Sequence, residues 1–176
     1  MIDAERANTM RVVISPIQPE DEAAFLEAVA RSHELLSGWV NPPCDPERFA
    51  RHIARYSADH NVSYLARTGE GELVGCININ NIVRGAFQSR ALGYYAFSPY
   101  DGRGLMKQAM ALVITQAFHH HRLHRLEANI QPANVASVAL VKSLGFRLEG
   151  HSPRYLNIAG QWRDHDRYAI TAEEWS

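Results

Sequence analysis

A chain of 176 residues with a formal net charge of −1 fits one domain, 1–176, that can bury a substantial core; it lacks the basic excess of a general nucleic-acid binder. Cys44 and Cys76 stand far apart and match neither zinc nor redox spacing, so reduced thiols in a cytoplasmic protein are expected. Met1 to Met10 carries Asp3, Glu5 and Arg6 with no apolar core, so no secretory signal is expected, and no apolar run approaches the roughly 20 residues that span a bilayer.

Arg11 to Ile17 reads as a first strand, closed by Pro16 and Pro19. Pro19-Glu20-Asp21 opens a helix whose apolar stripe is Ala24, Phe25, Ala28 and Val29. Leu35 to Pro43 is a break carrying Trp39; Asp45 then caps a second helix with Pro46 at its first position, continuing through Phe49, Ile53 and Tyr56. Val62 to Arg67 and Leu73 to Val83 form a hairpin about the turn Thr68 to Gly71. After Arg84-Gly85-Ala86, Ser89 to Phe97 returns as a strand, and a helix runs from Gly104 to about His119. Arg125 to Ile130 is a short strand, and Asn134 starts a helix over Val135 to Leu144. Phe146 to Gly150, Arg154 to Ile158 and Gln161 to Ile170 are strand material, the last two joined at Ala159-Gly160. This order predicts an α/β (α+β) fold: a mixed central sheet of about seven strands with helices on both faces.

The segment Ala91 to Met106, ALGYYAFSPYDGRGLM, combines a buried strand, a glycine turn and a helix start. Unpartnered N–H groups in a first helical turn, reached past Gly102 and Gly104, make a place for an anion such as a pyrophosphate. His119, His120, His121 and His124 lack an accompanying Cys or carboxylate set, so no metal is expected.

The chain resembles the GNAT acyltransferases, and within them the RimJ/RimL type that acetylates N-terminal amines of ribosomal proteins. The resemblance rests on NIVRGAF (Asn81 to Phe87), LGYYAF (Leu92 to Phe97), DGRGLM (Asp101 to Met106), the segment Asn134 to Phe146 and GQWRDH (Gly160 to His165); NIVRG, GRGLM and GQWRDH look the most RimJ-like. It implies acetyl-CoA as co-substrate, with no metal, and a sheet splayed between strands 4 and 5. Pantetheine would lie in that gap on the backbone of Tyr95, Ala96 and Phe97, as an added strand does. The pyrophosphate would rest on N–H groups from Gly102 through Gly104, Leu105 and Met106, with Arg103 adding charge, and Asn134 would also touch the co-substrate. Asp101 departs from the family's Gln or Arg; its side chain is expected to point outward, as a helix N-cap. Val141 stands where many members carry the Tyr that protonates the departing thiolate. Ser137, three residues after Asn134 and on the same helix face, fits the RimL-like use of a Ser hydroxyl as the catalytic donor.

The resemblance also implies transfer of acetyl to an amine: a protein N-terminus or, alternatively, a small molecule such as an amino acid, polyamine or aminoglycoside. A weakly catalytic acyl-CoA-binding module is the third reading. No Asp or Glu lies between Val83 and Ser98, which favours an α-amine, of reference pKa about 8, over a lysine amine at about 10.4; Glu34 or Glu47 reaching in from the helices is the alternative base. Trp39, Arg84 and Tyr155 are the candidate acceptor-binding residues. No membrane or direct nucleic-acid partner is expected, and the assembly is a monomer or a homodimer.

Overall fold

The computed structural model describes residues 10–176, so the reading of no leader at Met1 to Met10 lies almost wholly outside the described residues. Strands β1 (Val12–Pro16), β2 (Val62–Thr68), β3 (Leu73–Val83), β4 (Ser89–Ala96), β5 (Arg125–Ile130), β6 (Arg147–Ile158) and β7 (Gln161–Thr171) form one seven-stranded sheet. Its spatial order is β1-β2-β3-β4-β5-β7-β6, and only β4 and β5 run parallel. The mixed sheet expected from the order of elements is therefore present.

Helices cover both faces. One face carries α1 (Glu22–Arg31), the short α2 (His33–Leu36) and α3 (Pro46–Tyr56), whose Phe25, Leu36 and Phe49 pack on Leu65, Cys76, Tyr95 and Phe97. The other carries α4 (Leu105–His119) and α5 (Val135–Ser143), with Met106, Met110, Val113 and Val141 packed on Val74, Ile77 and Leu92. No described helix is long and apolar enough to cross a membrane.

Three expectations shift. The first helix is preceded by a 3-10 turn at Pro19–Asp21, and the segment read as a break from Leu35 begins with the single turn α2. Ser32 separates α1 from α2, its hydroxyl turned back onto the Ala28 carbonyl (2.6 Å). The two pieces read at Phe146 to Gly150 and Arg154 to Ile158 are one edge strand, β6. Pro153 is tolerated there because the register slips between Ser152 and Leu156, Arg154 takes a positive φ of 47°, and its N–H finds Asp164 Oδ1 (2.8 Å).

The gap that matters lies in the middle of the sheet. β4 pairs with β5 from Ser89↔Arg125 only as far as Leu92↔Ala128. Beyond it β4 stays paired with β3 out to Gly75↔Ala96, and β5 with β7 out to Ile130↔Asp166. The two halves of the sheet therefore part along the last residues of β4.

Candidate active site

A cleft of about 580 Å³ opens where the strands part, lined on the sheet side by Tyr94, Tyr95 and Ala96. Backbone polarity along β4 alternates. The Phe97 N–H goes to the Val74 carbonyl (2.8 Å) and the Phe97 carbonyl accepts from Tyr100 N–H (3.0 Å), so neither Phe97 group is free. Tyr95, in step with Phe97, also turns its backbone toward β3. The N–H and C=O of Tyr94 and Ala96 are left facing the gap. Of the three residues expected to offer backbone groups here, Ala96 does so, and Tyr94 is the one the sequence reading passed over.

At one end of the cleft the chain turns from β4 into α4. Gly102 (φ 68°) and Gly104 (φ 76°) are both left-handed, and Gly104 occupies the cap position, a conformation that costs an L-residue about 1 kcal/mol or more. The first i→i−4 bond of α4 runs from Gln108 N–H to the Gly104 carbonyl (3.3 Å). The N–H groups of Leu105, Met106 and Lys107 therefore have no partner within the helix, and the positive end of its dipole lies beside them. Gly102, Gly104, Met106 and Lys107 line the cleft. Leu105 is buried in the core and Arg103 is exposed, its guanidinium 5.9 Å from the Tyr100 ring. A linear anion such as a pyrophosphate fits this cradle.

The turn is held from below by α1. Arg31 Nε donates to the Ser98 carbonyl (2.6 Å), and Ser98 N–H donates to the buried Ser32 hydroxyl (2.9 Å). Asp101 does not cap α4, contrary to expectation: Gly104 takes that place because the turn needs its left-handed φ. Nor does Asp101 point away. It is half-buried, accepts from the Ser98 hydroxyl (3.3 Å) and lines the cleft.

The opposite wall is α5. Asn134 is its N-cap, accepting from Ser137 N–H (3.2 Å), and both residues line the cleft. Ser137 Oγ lies 2.7 Å from the hydroxyl of Tyr94. Burial pushes the Tyr94 phenol above the ordinary tyrosine range, with the Ser137 contact pulling back. Val141 is fully buried in the core, so the helix presents no phenol of its own from that position. Trp39 and Val40, in the loop after α2, close the cleft, and Gln131 Nε2 ties this loop to the end of β5 through the Gly38 carbonyl (3.3 Å).

The remaining candidates lie elsewhere. Arg84 sits at the other end of β4, donating to the His121 carbonyl. Tyr155 is on β6, partly exposed, with its ring 6.0 Å from His165. Glu47 is exposed and paired with Arg51 (3.0 Å), and Glu34 is exposed on α2. Asp101 is the only carboxylate among the lining residues, and it stands at the turn end. In the histidine run, His121 Nε2 meets the Tyr64 hydroxyl (2.7 Å) and His124 pairs with Glu173 (2.8 Å).

Comparison with known proteins agrees with this geometry. The family model described as "Acetyltransferase (GNAT) domain" matches residues 11–147. The [ribosomal protein uS5]-alanine N-acetyltransferase of Escherichia coli (strain K12) is 31% identical over 97% of this chain and 93% of its own length. The structure of Mycobacterium smegmatis RimJ in complex with CoA-disulfide superposes with a TM-score of 0.85 at 31% identity, covering 93% of this chain and 83% of that one. More distant is the spermidine N(1)-acetyltransferase of Escherichia coli (strain K12), 24% identical over 93% of this chain and 88% of its own length. The parted strands, the left-handed glycine turn and these matches agree: the chain belongs to the GNAT acetyltransferase family, and its co-substrate is acetyl-CoA.

Proposed function

We propose that this enzyme acetylates the N-terminal α-amine of a protein, with a ribosomal protein the leading substrate class, in the cytoplasm. The near full-length match to the uS5-alanine N-acetyltransferase carries this reading. The site's chemistry supports it. A neutral amine is the nucleophile, and an α-amine with a reference pKa of about 8 reaches that state with far less help than a lysine amine at about 10.4. The cleft wall offers no carboxylate near Ser137, so water or a backbone carbonyl relays the proton.

A polycationic acceptor calls for acidic walls. A second concavity, beside α3, is instead lined by Arg48, Arg51 and Arg55 with Asn41, Pro43 and His52. A spermidine-like substrate is disfavoured there by like charge.

Acetyl-CoA supplies the acyl group as a thioester. In the proposed arrangement the N–H groups of Leu105, Met106 and Lys107 hold its pyrophosphate, and the free backbone groups of Tyr94 and Ala96 align its arm. The Ala96 N–H faces the position where negative charge develops on the carbonyl oxygen. The Ser137 hydroxyl, at the first turn of α5, donates to the departing sulfur. Trp39 walls the acceptor side.

The test is turnover with acetyl-CoA of an alanine-starting peptide against spermidine, an aminoglycoside and free alanine, read by mass spectrometry. Acetylation of the peptide's α-amine at the highest kcat/KM is expected. Reaction with free amines alone would overturn the protein-substrate reading. Tight calorimetric binding of acetyl-CoA with no turnover of any amine would make the chain an acyl-CoA-binding module instead.

A further inference from the structure

We propose that Tyr94 is a positioning residue for acetyl transfer, its phenol holding the Ser137 hydroxyl so that the serine proton is aimed at the departing sulfur. This rests on the acetyl-transfer reading above. The contact, 2.7 Å between the two hydroxyl oxygens, bridges the free end of β4 and the first turn of α5 across the cleft.

Helical serines and threonines usually turn the hydroxyl back onto a carbonyl of their own helix. Thr115 does so with Ala111 (2.9 Å) and Ser143 with Leu140 (2.7 Å); Ser57, at the end of α3, does so with Ile53 (2.8 Å). Ser137 instead reaches out of its helix to a side chain on another element. Its backbone is already fixed by the Asn134 cap, at 3.2 Å. The remaining freedom is the side-chain rotamer, and that is what the phenol removes.

A serine hydroxyl has one proton and two lone pairs. With the Tyr94 O–H donating into one lone pair, the serine proton is free for the sulfur. Neither hydroxyl ionises in the step: the C–N bond forms, the C–S bond breaks with its electron pair on sulfur, and the amine proton leaves to water. A thiolate with a reference pKa of about 8.5 needs a hydrogen bond rather than a strong acid. Burial of the phenol keeps it a donor throughout the neutral range.

Tyr94→Phe keeps the ring and removes the hydroxyl. Expected is a kcat about tenfold lower, the worth of one hydrogen bond made in the transition state. KM and the calorimetric Kd for acetyl-CoA should move less than twofold. Adding Tyr94→Phe to Ser137→Ala should cost little further, because the two hydroxyls act as one unit. Wild-type kcat in Tyr94→Phe would overturn the proposal, as would losses that multiply in the double variant, or a Kd that weakens in step with kcat. In these outcomes the wild type still turns over, so the acetyl-transfer reading stands. A wild type inert toward every amine would defeat that reading, and the pair with it.

Discussion

Asp101 is the one carboxylate in a cleft that otherwise offers N–H groups, hydroxyls and Lys107. It does not serve the helix, whose cap is Gly104; its hydrogen-bond partner is the Ser98 hydroxyl, three residues back, at 3.3 Å. That contact stiffens a turn already held by Arg31 and Ser32. In the proposed arrangement the same carboxylate faces the pyrophosphate of acetyl-CoA, and like charges across a solvent-accessible turn repel. Asp101→Asn keeps an acceptor for Ser98 and removes the charge. Calorimetry at low salt should then show acetyl-CoA bound about threefold tighter, on the order of 0.6 kcal/mol. The gain should shrink as salt screens the repulsion. Weaker binding by Asp101→Asn would mean that the carboxylate organises the turn more than it repels the ligand.

Among the elements, α4 sets how deep the cradle lies, and it does so through Gly75 on β3. A Cβ there would stand 2.4 Å from Met106 Sδ and 2.7 Å from the Tyr95 carbonyl oxygen. The methionine side chain can yield; the strand carbonyl cannot. Gly75→Ala should therefore destabilise the fold by roughly 1–3 kcal/mol, measured by urea unfolding, and weaken acetyl-CoA binding by lifting the first turn of α4. Unchanged stability would mean that β3 and β4 slide apart freely at this point. In the sequence, a glycine inside a strand marks a close approach at Gly75 but does not name the neighbour. The elements themselves were legible where one period ran long enough: the apolar helix before His119, the hairpin about Thr68 to Gly71, and Asn134 as a cap. Short or broken periods misled, as with the single turn of α2 and the Pro153 bulge that divides β6. In the candidate site, the left-handed turn at Gly102 and Gly104 and the strand end at Ala96 were legible as structure, because backbone chemistry decides them. The site was not legible where a contact crosses between elements. Tyr94 meets Ser137 from 43 positions away, and strand alternation, not residue type, decides which of two adjacent tyrosines faces the gap.

At the scale of the whole molecule, the sheet parts between β4 and β5, and the β1–β4 half is tied to its α1–α3 layer by polar as well as apolar contacts. His52 on α3 shares a hydrogen bond with Ser63 on β2 (3.2 Å), and Tyr56 one turn on bonds Asn80 on β3. Burial first, and the charge of Arg55 second, lower the His52 pKa to about 4 from 6.5. A histidine kept neutral in the fold but free to protonate when unfolded contributes its stability above pH 6.5, and loses it as pH falls from there toward about 4. With allowance for solvent screening of a ring that is only part-buried, the loss between pH 7.5 and pH 5 is about 1–2 kcal/mol. His151 works in the opposite sense: Asp166 and Asp164 raise its pKa, so its contribution is present at low pH and fades as pH rises through the raised value. The wild-type curve alone would mix the two. His52→Gln keeps a polar group opposite Ser63 and removes the titration; it also removes the ring packed on Tyr56 (centroids 4.4 Å apart), a loss common to both pH values. Urea unfolding of both proteins at pH 7.5 and pH 5 should show the wild type losing about 1–2 kcal/mol more than His52→Gln over that interval. Parallel losses in the two would show that α3 already opens enough at pH 5 for His52 to protonate in place. The α1–α3 layer would then be the first part of the molecule to loosen in acid.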